Sequence, residues 1–111
     1  MSTLNTLQQR IRDGLLLDIY GAQLTEKQRT ACEMILLQDL SLAEAAETLG
    51  VSRQGVHDLV TRAREHMEEK ERDLRILERE QKLREIEEIL DEHEQDLPKG
   101  VYRKIKRLLK D

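Results

Sequence analysis

The chain has 111 residues and a formal net charge of −4, with two tyrosines, no Phe or Trp, one proline and one cysteine. That length supports one domain with a modest core of Leu, Ile, Val and Ala, and so few Gly and Pro among abundant Leu, Glu, Arg and Lys point to an all-α fold. No apolar run is long enough for a bilayer, the N-terminus lacks the order of a signal peptide, and a single cysteine excludes an internal disulfide, so a cytoplasmic protein is expected.

The first helix is expected over residues 4–20, where Leu4, Leu7, Ile11 and Leu15 repeat at helical spacing and Leu16 and Ile19 widen the stripe. Gly21 should end it. Thr25 and Gln28 form a capping box that opens a second helix through Ala31, Met34, Ile35 and Leu37. Cys32 sits in that apolar stretch and should be a buried, inert thiol. Residues 3–38 thus read as two supporting helices.

Residues 41–60, SLAEAAETLGVSRQGVHDLV, have the layout of a helix-turn-helix. Ser41 and Glu44 are a second capping box, and Ala45 and Ala46 keep an inner face small. Gly50 falls where the chain must take a positive φ to leave the helix. Val51 fills the corner and Ser52 is a ready N-cap for the next helix. In this motif the first residues of the second helix face base edges, here Ser52, Arg53, Gln54, His57 and Asp58. Arg and Gln are the chemistry for guanine and adenine edges. Arg62 and Arg64 stand farther along the same helix and are expected on backbone phosphate. The competing reading is a helical hairpin serving a core or a partner.

From residue 56 to residue 97 there is neither Gly nor Pro, and helical pairs such as Glu68–Arg72 and Glu78–Lys82 recur. An apolar seam runs Val56, Val60, Ala63, Met67, Leu74, Leu77, then changes phase to Leu83, Ile86, Ile89 and Leu90. This fits one long bent helix or two helices meeting near residues 79–82. A seam of that length needs covering, so a homodimer is expected. Residues 65–96 hold fourteen acidic and six basic residues, an acidic shaft that argues against a simple DNA-coating protein.

A break at residues 97–100 precedes a short terminal helix with Val101, Ile105, Leu108 and Leu109 apolar. Its cations are Lys99, Arg103, Lys104, Lys106, Arg107 and Lys110, with no acid among residues 99–110. They could contact RNA or phosphate, or the helix could simply dock through its apolar side. His57, His66 and His93 are scattered, and neither paired metal ligands nor a phosphate-binding glycine loop is present. No metal, cofactor or catalytic residue is expected, and the chain is not read as an enzyme.

The lead-in LTEKQR and the segment LSLAEAAETLGVSRQGVHDLVTRA resemble the fourth conserved region of bacterial sigma factors, which reads a promoter element. The chain as a whole is similar to the YlxM family of small bacterial helical proteins. DIYG before LTEKQ at residues 18–28, LSLAEAAETLGVSRQGVHD at 40–58, a charged long helix and a short basic helix carry that likeness. Gly55 stands where the family tends to have alanine, and His57 where it often shows tyrosine. The resemblance implies a dimeric accessory or regulatory protein of the signal recognition particle pathway, with the particle's RNA, its GTPase or the receptor as partners. A DNA-binding regulator of its own operon and a protein-interaction module docking on the GTPase are the alternatives. The expected architecture is a single helical domain over 1–111: support at 3–38, a sigma-factor-like helix-turn-helix at 41–64, a long acidic helix at 65–97 and a short basic helix at 98–111.

Overall fold

The computed structural model describes residues 6–110, so the expected start of the first helix at residue 4 lies outside them. The elements are α1 (Leu7–Tyr20), α2 (Glu26–Cys32), α3 (Leu42–Leu49), α4 (Arg53–Leu74), α5 (Ile76–Glu92) and α6 (Lys99–Lys110). Short-range chemistry sets where the first four begin. Thr6 accepts from Gln9 N, both capping boxes are formed (Thr25 with Gln28, Ser41 with Glu44), and Ser52 Oγ accepts from Gly55 N. Each of these side chains satisfies a backbone donor that the first helical turn leaves without a partner.

Gly21 ends α1 and the second helix reaches Leu37, as the sequence reading expects, and each connection has a geometry of its own. Gly21 has φ −56, an ordinary helical value, and leads into a single 3-10 turn at Gly21–Gln23. Its role is contact: a Cβ there would meet Leu17 Cδ1 at 3.2 Å. The second helix does continue to Leu37, but its last turn, Glu33–Leu37, widens to π geometry. Asp39 then takes φ 56, and the Arg10 guanidinium donates to Ile35 O at 2.7 Å and to Asp39 Oδ1 at 2.8 Å. A carbonyl at the helix end is thereby capped by a side chain 25 residues away in sequence.

The chain forms two compact units that divide between Arg75 and Ile76. In the first, α4 packs against α1, α2 and α3. Leu16, Leu17, Tyr20, Ala31, Cys32, Ala45 and Ala46 are buried there together with Val56, Val60, Ala63 and Met67. The last four are the first half of the seam that the sequence offered to a second copy. They are at most 1% exposed, covered by their own chain.

Between α1 and α4 the contact is also polar. Asp13, 1% exposed, accepts from Gln9 Nε2 at 2.8 Å and from Arg64 Nε at 3.0 Å. Arg12 clasps Glu68 through two bonds of 2.8 Å, and Tyr20 Oη donates to Glu71 Oε1 at 2.6 Å. The Arg12 hydrogen bond, opposed by partial burial, holds the Glu68 carboxyl below its ordinary range. Cys32 is fully buried, and desolvation, helped by the nearby Asp13 charge, pushes its thiol up to about 12.

No glycine or proline stops α4. It ends because Arg75 adopts φ 55, with its N–H on Glu71 O at 2.8 Å. The long acidic segment is therefore two helices, and they meet at Arg75 rather than near residues 79–82. Leu74, the last residue of α4, is 44% exposed, and Leu77 in the first turn of α5 is 2% exposed. The second unit is a hairpin in which α6 lies on α5. Tyr102 Oη donates to Asp91 Oδ1 at 2.7 Å, and Lys106 Nζ bridges Asp91 at 3.0 Å and Glu87 at 3.3 Å.

Three outcomes are expected. Arg64→Ala leaves Asp13 buried without its cation and lowers unfolding free energy by about 3 kcal/mol, whereas exposed Arg62→Ala changes it by less than about 0.5 kcal/mol; urea titration measures both. Cys32 should resist iodoacetamide in the native protein and react once urea unfolds it. Because the Glu68 pKa is lowered on folding, its contribution is present above the ordinary carboxylate range and lost as pH falls through the folded value. Arg12→Met should therefore flatten the acid limb of stability against pH, with little change in the slope above neutral pH.

Candidate nucleic-acid interface

The turn between α3 and α4 has the geometry that its residues require. Gly50 sits at φ 70, ψ 33, with its N–H bonded back to Ala46 O, and Val51 N reaches the same carbonyl at 3.1 Å. Ala45 and Ala46, 0 and 7% exposed, let the helices meet closely behind that turn. Val56 and Val60 anchor the inner face of α4. The opposite face of its first turns is therefore turned to solvent, and Ser52, Arg53, Gln54 and Asp58 are exposed on it.

The six residues expected on nucleic acid fall into distinct environments. Arg53 and Arg62 are exposed and make no ion pair among the described residues. Gln54 Nε2 donates to Asp58 Oδ1 at 2.9 Å, an i,i+4 link that orients the amide along the helix. Ser52 Oγ is occupied as the cap of Gly55 at 2.9 Å. A Cβ on residue 55 would come within 3.2 Å of that hydroxyl, so glycine here lets the cap sit close. His57 is partly covered, its side chain 34% exposed, with Nδ1 buried and 3.9 Å from Asp58 Oδ1. Arg64 is a correction. Its side chain, 15% exposed, turns inward to Asp13, because position 64 adjoins the buried stripe of α4.

The second cluster lies on α6, in the other unit. Lys99, Arg103, Lys104 and Arg107 are exposed. Lys106 is the second correction: its side chain is 20% exposed and held by Asp91 and Glu87, and the Asp91 hydrogen bond pushes its ammonium up. Sequence spacing could have flagged both inward cations, since each stands beside apolar residues of a helix whose neighbour carries a carboxylate. The Gln54–Asp58 link was also open to an i,i+4 reading. It places a carboxylate on the exposed face of α4, a group whose charge repels phosphate and whose chemistry suits a cytosine amine.

The model of the UPF0122 family, described as "Putative helix-turn-helix protein, YlxM / p13 like", matches residues 7–108. A UPF0122 protein of Clostridium kluyveri is 54% identical over 56 residues, half of this chain and half of that relative's length. Relatives of the same name from a Thermoanaerobacter species and from Staphylococcus epidermidis are 44 and 42% identical. Those matches cover 74% of this chain in both cases, and 76 and 74% of the relatives. With its turn at Gly50 and its capped second helix, the chain belongs to the UPF0122, YlxM/p13-like family of helix-turn-helix proteins.

Proposed function

We propose that this protein is a non-enzymatic, cytoplasmic nucleic-acid-binding regulator that reads its target with the first turns of α4. The observation that carries the reading is a pair of side chains with base-edge chemistry, Arg53 and Gln54, exposed on a helix whose start is fixed by Ser52 and whose back is buried. Arg62, exposed farther along the same helix, supplies a phosphate contact. In this reading the regulation belongs to the signal recognition particle pathway, with the particle's RNA as ligand and its GTPase or receptor as protein partners, and likeness to the YlxM family is what supports it.

A second reading, a DNA-binding regulator of its own operon, draws on the Arg–Gln pair itself, which matches major-groove purine edges. A dimer then requires half-sites about one helical turn apart. Leu7, Ile11 and Leu37, three of the exposed apolar side chains on the first unit, support a homodimer, because a second copy would cover them.

The test is parallel binding, at physiological salt, to signal recognition particle RNA, to the DNA upstream of the gene, and to unrelated RNA and duplex. Arg53→Ala combined with Gln54→Ala should weaken the preferred ligand by about 1–3 kcal/mol while the circular dichroism spectrum is unchanged. Arg62→Ala should weaken all ligands alike and reduce the salt slope by about 1. An unchanged isotherm for the folded double variant would overturn readout by α4.

A further inference from the structure

One apolar face of the first unit is left uncovered by its own chain. Leu7, Ile11 and Leu37 are 73, 55 and 59% exposed, and the half-buried Leu15 and Leu36 lie beside them. All five line an open groove between α1 and the last turn of the second helix, and Gly14 lines it too. Along α1, Leu7, Ile11, Gly14 and Asp18 recur at i, i+4, i+7 and i+11, which puts them on one stripe.

Gly14 is the residue on that stripe which its own chain does not explain. It stands in the middle of α1, where glycine weakens a helix relative to alanine. No left-handed backbone requires it, since Gly50 alone among the described glycines has a positive φ. No close neighbour requires it either, for a Cβ on residue 14 would meet nothing within 4 Å. Gly21 and Gly55 differ, because a Cβ on either would press on a side chain at 3.2 Å. What Gly14 offers is an unobstructed stretch of helix backbone on an exposed apolar face.

We propose that two copies of the chain meet on this face, with their α1 helices crossing antiparallel at Gly14. The inference rests on the homodimer of the proposed function and names its surface. A two-fold axis at Gly14 sets residues equally far before and after it opposite each other. Arg10, four residues before, then faces Asp18 of the second copy, four residues after, once on each side of the axis. Asp18 is exposed and makes no ion pair or hydrogen bond among the described residues. Arg10 uses only Nη2 on Ile35 O and Asp39, so Nε and Nη1 remain to donate. A parallel crossing would instead set Arg10 against Arg10 and Asp18 against Asp18. Ile11 and Leu15 flank the crossing, and the missing Cβ lets the two backbones close in so that these side chains are covered. A nucleic-acid strand fits the face less well. Its charged residues are Arg10, Asp18 and Asp39, which present more negative than positive charge to a phosphate.

The test is sedimentation equilibrium of the full-length protein over a range of concentrations, where the unaltered chain should reach a dimer. Gly14→Leu puts a side chain into the crossing, and Asp18→Arg sets cation against cation on both sides of the axis. Each should raise the dimer Kd by about tenfold or more. Circular dichroism should stay unchanged, because Asp18 is exposed and the space in front of Gly14 is open. Arg53→Ala, on α4, should leave the Kd unaltered, which separates this contact from nucleic-acid readout. A dimer that both α1 variants leave intact would overturn this interface while the homodimer reading stands. A monomer at every concentration would overturn both. Loss of the dimer with Ile86→Asp but not with Gly14→Leu would also overturn it, by assigning the contact to α5.

Discussion

Arg64 and Asp13 meet where solvent is nearly excluded, and the placement of α4 depends on that pair. Taking both charges out of water costs several kcal/mol, so the pair adds little net stability over an apolar replacement. What it does is penalise other arrangements. Sliding or rotating α4 against α1 would strand Asp13, which is 1% exposed, and would also open the Arg12–Glu68 clasp and the buried Tyr20–Glu71 bond. Three polar links of different reach therefore select one register. The apolar contacts of Val56, Val60, Ala63 and Met67 supply the driving force but tolerate small shifts. Since the exposed first turns of α4 carry Arg53 and Gln54, the register that α1 imposes also aims the candidate reading surface.

Which features were legible in the sequence depends on the range of the interactions that make them. Both capping boxes, the Ser52 cap and the left-handed Gly50 depend on residues at most three apart, and each formed where its signature stands. The end of α4 is different. Arg75 takes a left-handed conformation that costs about 1–2 kcal/mol for a side-chain residue, and nothing nearby in sequence announces it. The Arg10 cap on Ile35 and the Asp13–Arg64 pair join residues 25 and 51 apart. A trace of the second existed: Asp13 and Arg64 are opposite charges beside the apolar stripes of two neighbouring helices, which is where a buried pair must lie. Read as a surface helix, α4 offered Arg64 to phosphate; read as the centre of a bundle, it commits Arg64 inward.

The distribution of charge carries the same lesson for binding. A net charge of −4 makes non-specific adhesion to nucleic acid weak, because that adhesion scales with phosphates neutralised. Specific readout needs only a few well-placed donors, and under the proposed function Arg53 and Gln54 at the exposed start of α4 are those donors, without a surrounding basic field. Counting cations along α6 overstates what is free there, since Lys106 is committed to Asp91 and Glu87 within its own hairpin. Counting carboxylates along α5 overstates its acidity in the opposite sense, since Glu87 and Asp91 are engaged by Lys106 and Tyr102 and Glu78 meets Lys82. In helices this charged, it is the angular position of each residue, more than the sum, that determines what the surface can hold.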